Sequence, residues 1–120
     1  MKVLVTGNRG QLGRDAMAVF GAAHQVLGVD VEELDITDPQ AVEACMQEFS
    51  PDQVLNCAAF TQVDACESRR RIARAVNVDG PRNLARSAAA CGARLVHIST
   101  DYVFDGRRLP PAPYRESDPP

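Results

Sequence analysis

The stretch Thr6-Gly7-Asn8-Arg9-Gly10-Gln11-Leu12-Gly13 places a glycine at every third position, directly after an apolar run and directly before a helical pattern. That arrangement suits a pyrophosphate. Glycine is required where a chain turns sharply out of a strand, where backbone must approach phosphate oxygens, and where helix and strand meet closely. The helix that follows presents unpaired N–H groups and a partial positive charge to the anion. An acidic residue, Asp30, stands seventeen positions beyond Gly13, at the end of the next apolar run. A carboxylate there accepts hydrogen bonds from adenosine ribose hydroxyls, so loop and acid together predict a dinucleotide site.

Two residues of that site pull in opposite directions. Asp30 repels a 2′-phosphate and favours NADH. Arg9, inside the loop, pairs well with the same phosphate and favours NADPH. The cofactor is therefore NADPH or NADH, with the preference open. Asp35 and Ile36 follow what reads as a short third strand. They either line the adenine pocket or, for Asp35, serve a plain turn.

The remaining reactive side chains point elsewhere. His97, inside the last apolar run, reads as a packed core histidine rather than a base or ligand, and His24 belongs to a turn. Cys45, Cys57, Cys66 and Cys91 show neither a C-x-x-C pair nor zinc spacing, so they read as buried free thiols with no metal site. Arg69, Arg70, Arg71 and Arg74 make a basic patch, but a net charge of −3 and a pI near 5.3 favour a solvated helix face over nucleic acid. Lys2 is the only lysine, and Tyr102 and Tyr114 are the only tyrosines. Within these residues, chemistry that needs a lysine far from the first strand has no side chain to use.

These residues need a scaffold, and 120 residues suit one domain with one core. Lys2–Thr6, Gln25–Val29, Gln53–Cys57 and Leu95–Ile98 read as short buried strands. Helical patterns alternate with them: Gln11–Ala22, a segment starting at Thr37-Asp38-Pro39, and a mostly helical stretch from Val63 to Gly92 interrupted near Gly80-Pro81. Leu12, Ala16, Val19 and Phe20 form the expected apolar stripe of the first helix; Val42, Cys45, Met46 and Phe49 form that of the second. The alternation predicts an α/β fold, a Rossmann-type doubly wound parallel sheet over residues 1–108. The prolines crowded after position 109 predict a Pro-rich loop over 109–120 that leads to a missing catalytic and substrate-binding region. The sheet is then truncated before its last strands. No apolar run approaches the roughly 20 residues of a membrane span, and no secretory pattern opens the chain, which makes the cytoplasm the expected compartment.

Further segments carry a resemblance. Asn56-Cys57-Ala58-Ala59, Thr61-x-Val63-Asp64, Asn77 in Val76-Asn77-Val78, Ser99-Thr100-Asp101-Tyr102-Val103-Phe104-Asp105-Gly106 and Pro113-Tyr114-x-Glu116 join the glycine loop. Together they resemble the N-terminal part of extended short-chain dehydrogenases/reductases, in particular the branch that reduces dTDP-activated keto-sugars. The resemblance implies hydride transfer from NADPH or NADH to the 4-keto carbon of a dTDP-6-deoxy-sugar, giving dTDP-L-rhamnose. It also implies that Ala58, Ala59 and Phe60 lie against the cofactor. Thr100 would hydrogen-bond the keto oxygen, and Asp101 would touch substrate. The implied partner is a dTDP-sugar, with no nucleic acid and no membrane; a homodimer is left open.

The chain departs from the family in one respect. The family's tyrosine acid is followed four residues later by lysine, whereas Gly106 follows Tyr102 at that spacing and Asp118 follows Tyr114. The pair is expected beyond Pro120, and the chain alone is expected to be inactive. Thr100 has an alternative reading as a strand-end threonine that caps its own loop. Two rival functions also fit: a non-catalytic NADP-binding regulatory subunit of the kind associated with methionine adenosyltransferase, and an NAD-dependent nucleotide-sugar epimerase or dehydratase.

Overall fold

The computed structural model describes residues 1–109 and 111–120. Pro110, inside the stretch expected to be a Pro-rich loop, lies outside the described residues. Four strands form one parallel sheet: β1 (Lys2–Thr6), β2 (Gln25–Val29), β3 (Gln53–Asn56) and β4 (Arg94–His97), in the order β2-β1-β3-β4. Helix α1 (Gln11–Gly21) joins β1 to β2 and α2 (Pro39–Phe49) joins β2 to β3. Between β3 and β4 run α3 (Val63–Ser68), α4 (Arg70–Arg74), a π-helical turn (Ala75–Asp79) and α5 (Gly80–Cys91).

Both faces of the sheet are covered, which makes the fold doubly wound. Alternation along the strands divides the core. Val3, Val5 and Leu55 pack with Ala16 under α1. Leu4, Val29 and Val54 pack with Val42, Met46, Leu84 and Ala88 under α2 and α5. β1, an interior strand with an apolar middle, has Val3, Leu4 and Val5 fully inaccessible.

Helix α2 begins as its sequence predicts. The Asp38 carboxylate accepts the backbone N–H groups of Gln40 at 2.9 Å and Ala41 at 3.2 Å, and Pro39 needs no N–H in the first turn. It ends at Ser50, whose φ of 49° is the left-handed value that stops a helix.

Several expectations are corrected. Helix α1 exists, but Leu12 and Val19 are exposed, and its buried face is Gly13, Ala16, Met17 and Phe20. Small residues at that face let the helix sit close to the sheet, which turns the larger side chains outward. No third strand forms at Val31–Leu34. There the Asp30 carbonyl accepts the N–H groups of Glu33 and Leu34 at 3.0 and 2.8 Å, a turn that consumes the donors a strand would use. The break in the helical stretch falls at Arg69, with the π turn just before Gly80-Pro81; Pro81 then starts α5 in its first turn. His97 is exposed on an edge strand rather than packed in the core. The thiols are not buried either, since Cys45, Cys57 and Cys66 are half-buried and Cys91 is exposed. No helix among the described residues is long and apolar enough to cross a membrane.

Candidate functional site

The C-terminal ends of β1, β2 and β3 open onto a cleft of about 350 Å³. Its walls include Gly7, Gly10, Asp30, Asp35, Ile36, Ala58, Ala59 and Phe60, all singled out from the sequence. Val31 and Leu34 also line it and were missed, as do Thr6, Cys57 and Val76, which the sequence motifs contain but to which no site role was given. Val31 and Leu34 sit in the turn that replaces the expected third strand, and Val76 lies in the π turn. Ligands of open α/β sheets bind at this end of the strands.

The glycine loop is held on three sides. Gly10 N–H donates to the Gly7 carbonyl at 3.0 Å, closing the turn, and Asn8 N–H donates to the Val29 carbonyl at 3.2 Å. Arg9 N–H donates to Asp30 Oδ2 at 3.1 Å, so the acidic residue and the loop are one unit. The glycines differ in why they are glycine. Gly7 has φ of 68°, and a Cβ there would lie 2.7 Å from Ala58 N. A Cβ on Gly13 would lie 2.7 Å from Asn8 Cα and also strike the Gly7 carbonyl oxygen. The fold itself excludes a side chain at both. Gly10 is different: its φ is −68° and a Cβ would approach only the Gly7 oxygen, at 3.2 Å. Gly10 faces the cleft, and it caps α1 without a side-chain hydrogen bond. The first-turn amides of α1 are thus left for an anion, and the cradle fits a pyrophosphate.

The remaining predicted loop residues stand outside the cleft wall. Asn8 turns under the loop toward Gly28, and its Oδ1 is buried without a hydrogen-bond partner among the described residues. Gln11 and Leu12 are exposed on the first turn of α1. Arg9 reaches across to Glu32 and Glu33 and forms an ion pair with each.

A buried polar chain fixes the far wall. Thr6 Oγ1 donates to Asn56 Oδ1 at 2.6 Å, the same oxygen accepts Ala58 N–H at 3.1 Å, and Asn56 Nδ2 lies 2.9 Å from His97 Nδ1. Thr6 and Asn56 are both 1% exposed. Asn77, carried on the π turn, holds the next segment with both ends of its amide. Its Oδ1 accepts Phe60 N–H at 2.8 Å and its Nδ2 donates to the Phe60 carbonyl at 3.0 Å. π turns commonly mark functional sites, and this one sets a side chain against a loop that lines the cleft. Burial pushes the Cys57 thiol above its ordinary pKa, so it faces the cleft as a neutral group.

Thr100 and Asp101 lie beyond β4 and are not among the residues that line the cleft. Thr100 Oγ1 accepts Tyr102 N–H at 3.3 Å and caps a 3₁₀ turn over Asp101–Val103, the arrangement of the capping alternative. The following segment is knotted by Tyr114. Its ring stacks on Phe104 at 4.6 Å between centroids, and its hydroxyl donates to Asp105 at 2.7 Å. Arg108 ties the same segment through the Pro113 carbonyl at 2.7 Å and Asp118 at 2.8 Å. The Tyr114 hydroxyl, the Arg107 backbone N–H and the Arg108 charge hold the Asp105 carboxyl below the usual carboxylate range.

Sheet order, glycine cradle and acid-ended second strand define a Rossmann-type fold of the short-chain dehydrogenase/reductase class. Comparison with known sequences narrows this. Residues 1–120 match the family described as RmlD substrate binding domain, and the chain belongs to that family. It is 44% identical over 120 residues to a dTDP-4-dehydrorhamnose reductase of Mycobacterium tuberculosis, covering 98% of this chain and 39% of the relative. A dTDP-4-dehydrorhamnose reductase structure from Clostridium acetobutylicum superposes with a TM-score of 0.91 at 45% identity, over 99% of this chain and 43% of that one. The enzyme of the same name from Bacillus anthracis, solved in complex with NADP, superposes with a TM-score of 0.85 at 40% identity, over 89% and 39%. The chain thus spans about two-fifths of the length of the relatives it matches.

Proposed function

We propose that this chain is the cofactor-binding part of an NAD(P)H-dependent reductase acting on the 4-keto group of dTDP-4-dehydro-L-rhamnose, giving dTDP-L-rhamnose. Gly10 carries the reading. It is a glycine at which an added carbon would press on one atom alone, the Gly7 carbonyl oxygen at 3.2 Å, set at the mouth of an uncapped helix and facing the cleft. Its missing side chain is explained by a ligand that approaches the backbone. The Bacillus anthracis relative, bound to NADP, supports the same assignment.

The chain's residues divide the work. Gly7, Gly10 and Gly13, with the amides of Gln11 and Leu12, receive the pyrophosphate. Asp30 holds the adenosine ribose, and Asp35 and Ile36 border the adenine. Ala58, Ala59 and Phe60, fixed by Asn56 and Asn77, give the nicotinamide half a close floor. The dinucleotide supplies the hydride. Thr100 hydrogen-bonds the keto oxygen as negative charge develops there, and Asp101 contacts the sugar. Residues 1–108 form the cofactor domain, and 109–120 connect it to the region that binds sugar. These 120 residues contain no tyrosine–lysine pair at the family's spacing. General acid catalysis by a phenol at neutral pH calls for such a neighbouring cation.

The test is oxidation of NADPH or NADH with dTDP-4-dehydro-L-rhamnose, using residues 1–120 and a chain extended through a tyrosine–lysine pair. Only the longer chain should turn over, and Thr100→Val in it should lower kcat by about 10–10³-fold. Comparable turnover from residues 1–120, or full activity in Thr100→Val, would overturn the assignment.

A further inference from the structure

Arg9 is the only positively charged side chain in the glycine loop, and neither end of it is free. Its guanidinium forms ion pairs with Glu32 through Nη1 and with Glu33 through Nη2. Glu33 uses its second oxygen as well, since Oε2 accepts Asp30 N–H at 2.9 Å. Asp30 completes a ring, because its Oδ2 accepts the Arg9 backbone N–H at 3.1 Å. One carboxylate, Glu33, therefore holds both the residue suited to a 2′-phosphate and the residue suited to a bare ribose.

We propose that Glu32 and Glu33 form a carboxylate clamp on Arg9 that sets the discrimination between dinucleotides with and without a 2′-phosphate. The inference rests on the dinucleotide reading of the cleft. A 2′-phosphorylated dinucleotide gains Arg9 only by displacing two carboxylates from it. A dinucleotide with a free ribose meets the Asp30 carboxylate, already oriented by the N–H groups of Arg9 and Val31, and leaves the clamp closed. The clamp is exchangeable rather than locked, because the Arg9, Glu32 and Glu33 side chains are 54%, 67% and 45% exposed. Exposed ion pairs each shift an equilibrium by roughly 1.4- to 5-fold, so two together set a preference of about tenfold.

The experiment measures NADH and NADPH dissociation constants, by nicotinamide fluorescence, for the intact protein and two variants. In E32Q/E33Q the glutamine carbonyl at position 33 still accepts the Asp30 N–H, but neither side chain holds Arg9 by charge. The ratio of NADPH to NADH affinity should rise by about tenfold. In R9A/E32Q/E33Q it should return to the starting value or fall below it. A ratio that stays within about twofold in E32Q/E33Q overturns the clamp. A rise that persists in R9A/E32Q/E33Q also overturns it, since the carboxylates would then act by repelling the phosphate directly. Failure of the unsubstituted protein to bind either dinucleotide overturns the cofactor reading and the clamp with it. Binding of both with an unmoved ratio overturns the clamp alone.

Discussion

Gly10→Val and Gly13→Ala should fail in opposite ways, although both alter glycines of one loop. At Gly13 the added carbon would sit 2.7 Å from Asn8 Cα and strike a carbonyl oxygen. Both obstacles are backbone, so the loop itself must shift. Overpacking of this kind costs about 1–3 kcal/mol, and for a chain of this size that lowers Tm by roughly 5–15 °C. At Gly10 the backbone is already extended, and the nearest atom stands at 3.2 Å. The expected cost is about 1 kcal/mol, because valine is a poor helix cap and the Gly7 carbonyl must give by a few tenths of an ångström. Binding should show the reverse order. A valine at the cleft mouth holds a pyrophosphate off the amides of α1, and losing one charge-assisted hydrogen bond costs about 1.5–3 kcal/mol, or about 10–10²-fold in Kd. Thermal melts paired with NADH and NADPH titrations, run well below both transitions, measure the two quantities. Unchanged affinity in a folded Gly10→Val protein would refute the ligand argument, and wild-type stability in Gly13→Ala would refute the packing argument.

Asn77→Ala removes both hydrogen bonds to the Phe60 backbone and should cost about 1–2 kcal/mol in denaturant unfolding, with faster amide exchange confined to residues around Ala58–Phe60. Uniform acceleration of exchange across the sheet would contradict this local role. The knot at Tyr114 should depend on acid. Because hydrogen bonds from the Tyr114 hydroxyl and the Arg107 N–H lower the Asp105 pKa, its contribution is complete above the ordinary aspartate value of about 3.9 and is lost as pH falls through the lower folded value. Followed by NMR from acid to neutral pH, Tyr114 ring proton shifts should move in that acid range and should lack this transition in Asp105→Asn; a transition near neutrality would contradict the linkage.

The fold was legible because its signals are local. Strand runs, the Asp38-Pro39 helix start and the glycine spacing each announce themselves within a few residues, and the cleft residues Gly7, Gly10 and Asp30 follow from them, whereas Ala58–Phe60 were visible through resemblance. What stayed hidden depends on contacts far apart in the chain. Leu12 and Val19 read as core because they are large and apolar, yet the close approach at Gly13 and Ala16 decides which face α1 buries. Glu33 meets Arg9 across 24 positions, and nothing in either neighbourhood announces the pairing. The π turn has no sequence signature of its own, so Asn77 was visible only through resemblance. The third strand failed for a local reason after all: Asp30 and Asp35 bond to nearby backbone and favour turns over ladders.

The position of β1 in the sheet has a consequence for the birth of the chain. Of these four strands, the first to leave a ribosome is an interior one, needed by neighbours made later. Its partner β2 follows soon, but its other edge waits for β3, whose Asn56 pairs with Thr6 across 50 positions. At about 5–20 residues per second, the nascent chain carries an unpaired apolar edge for seconds. Open strand edges invite pairing with other chains, and a flanking charge is the usual guard. Lys2 stands at that end of β1, and it finds its contacts with the Phe49 carbonyl and ring only once α2 has closed over the sheet. During synthesis its charge is therefore free to protect the edge, and on completion the same residue helps fasten β1 to the end of α2.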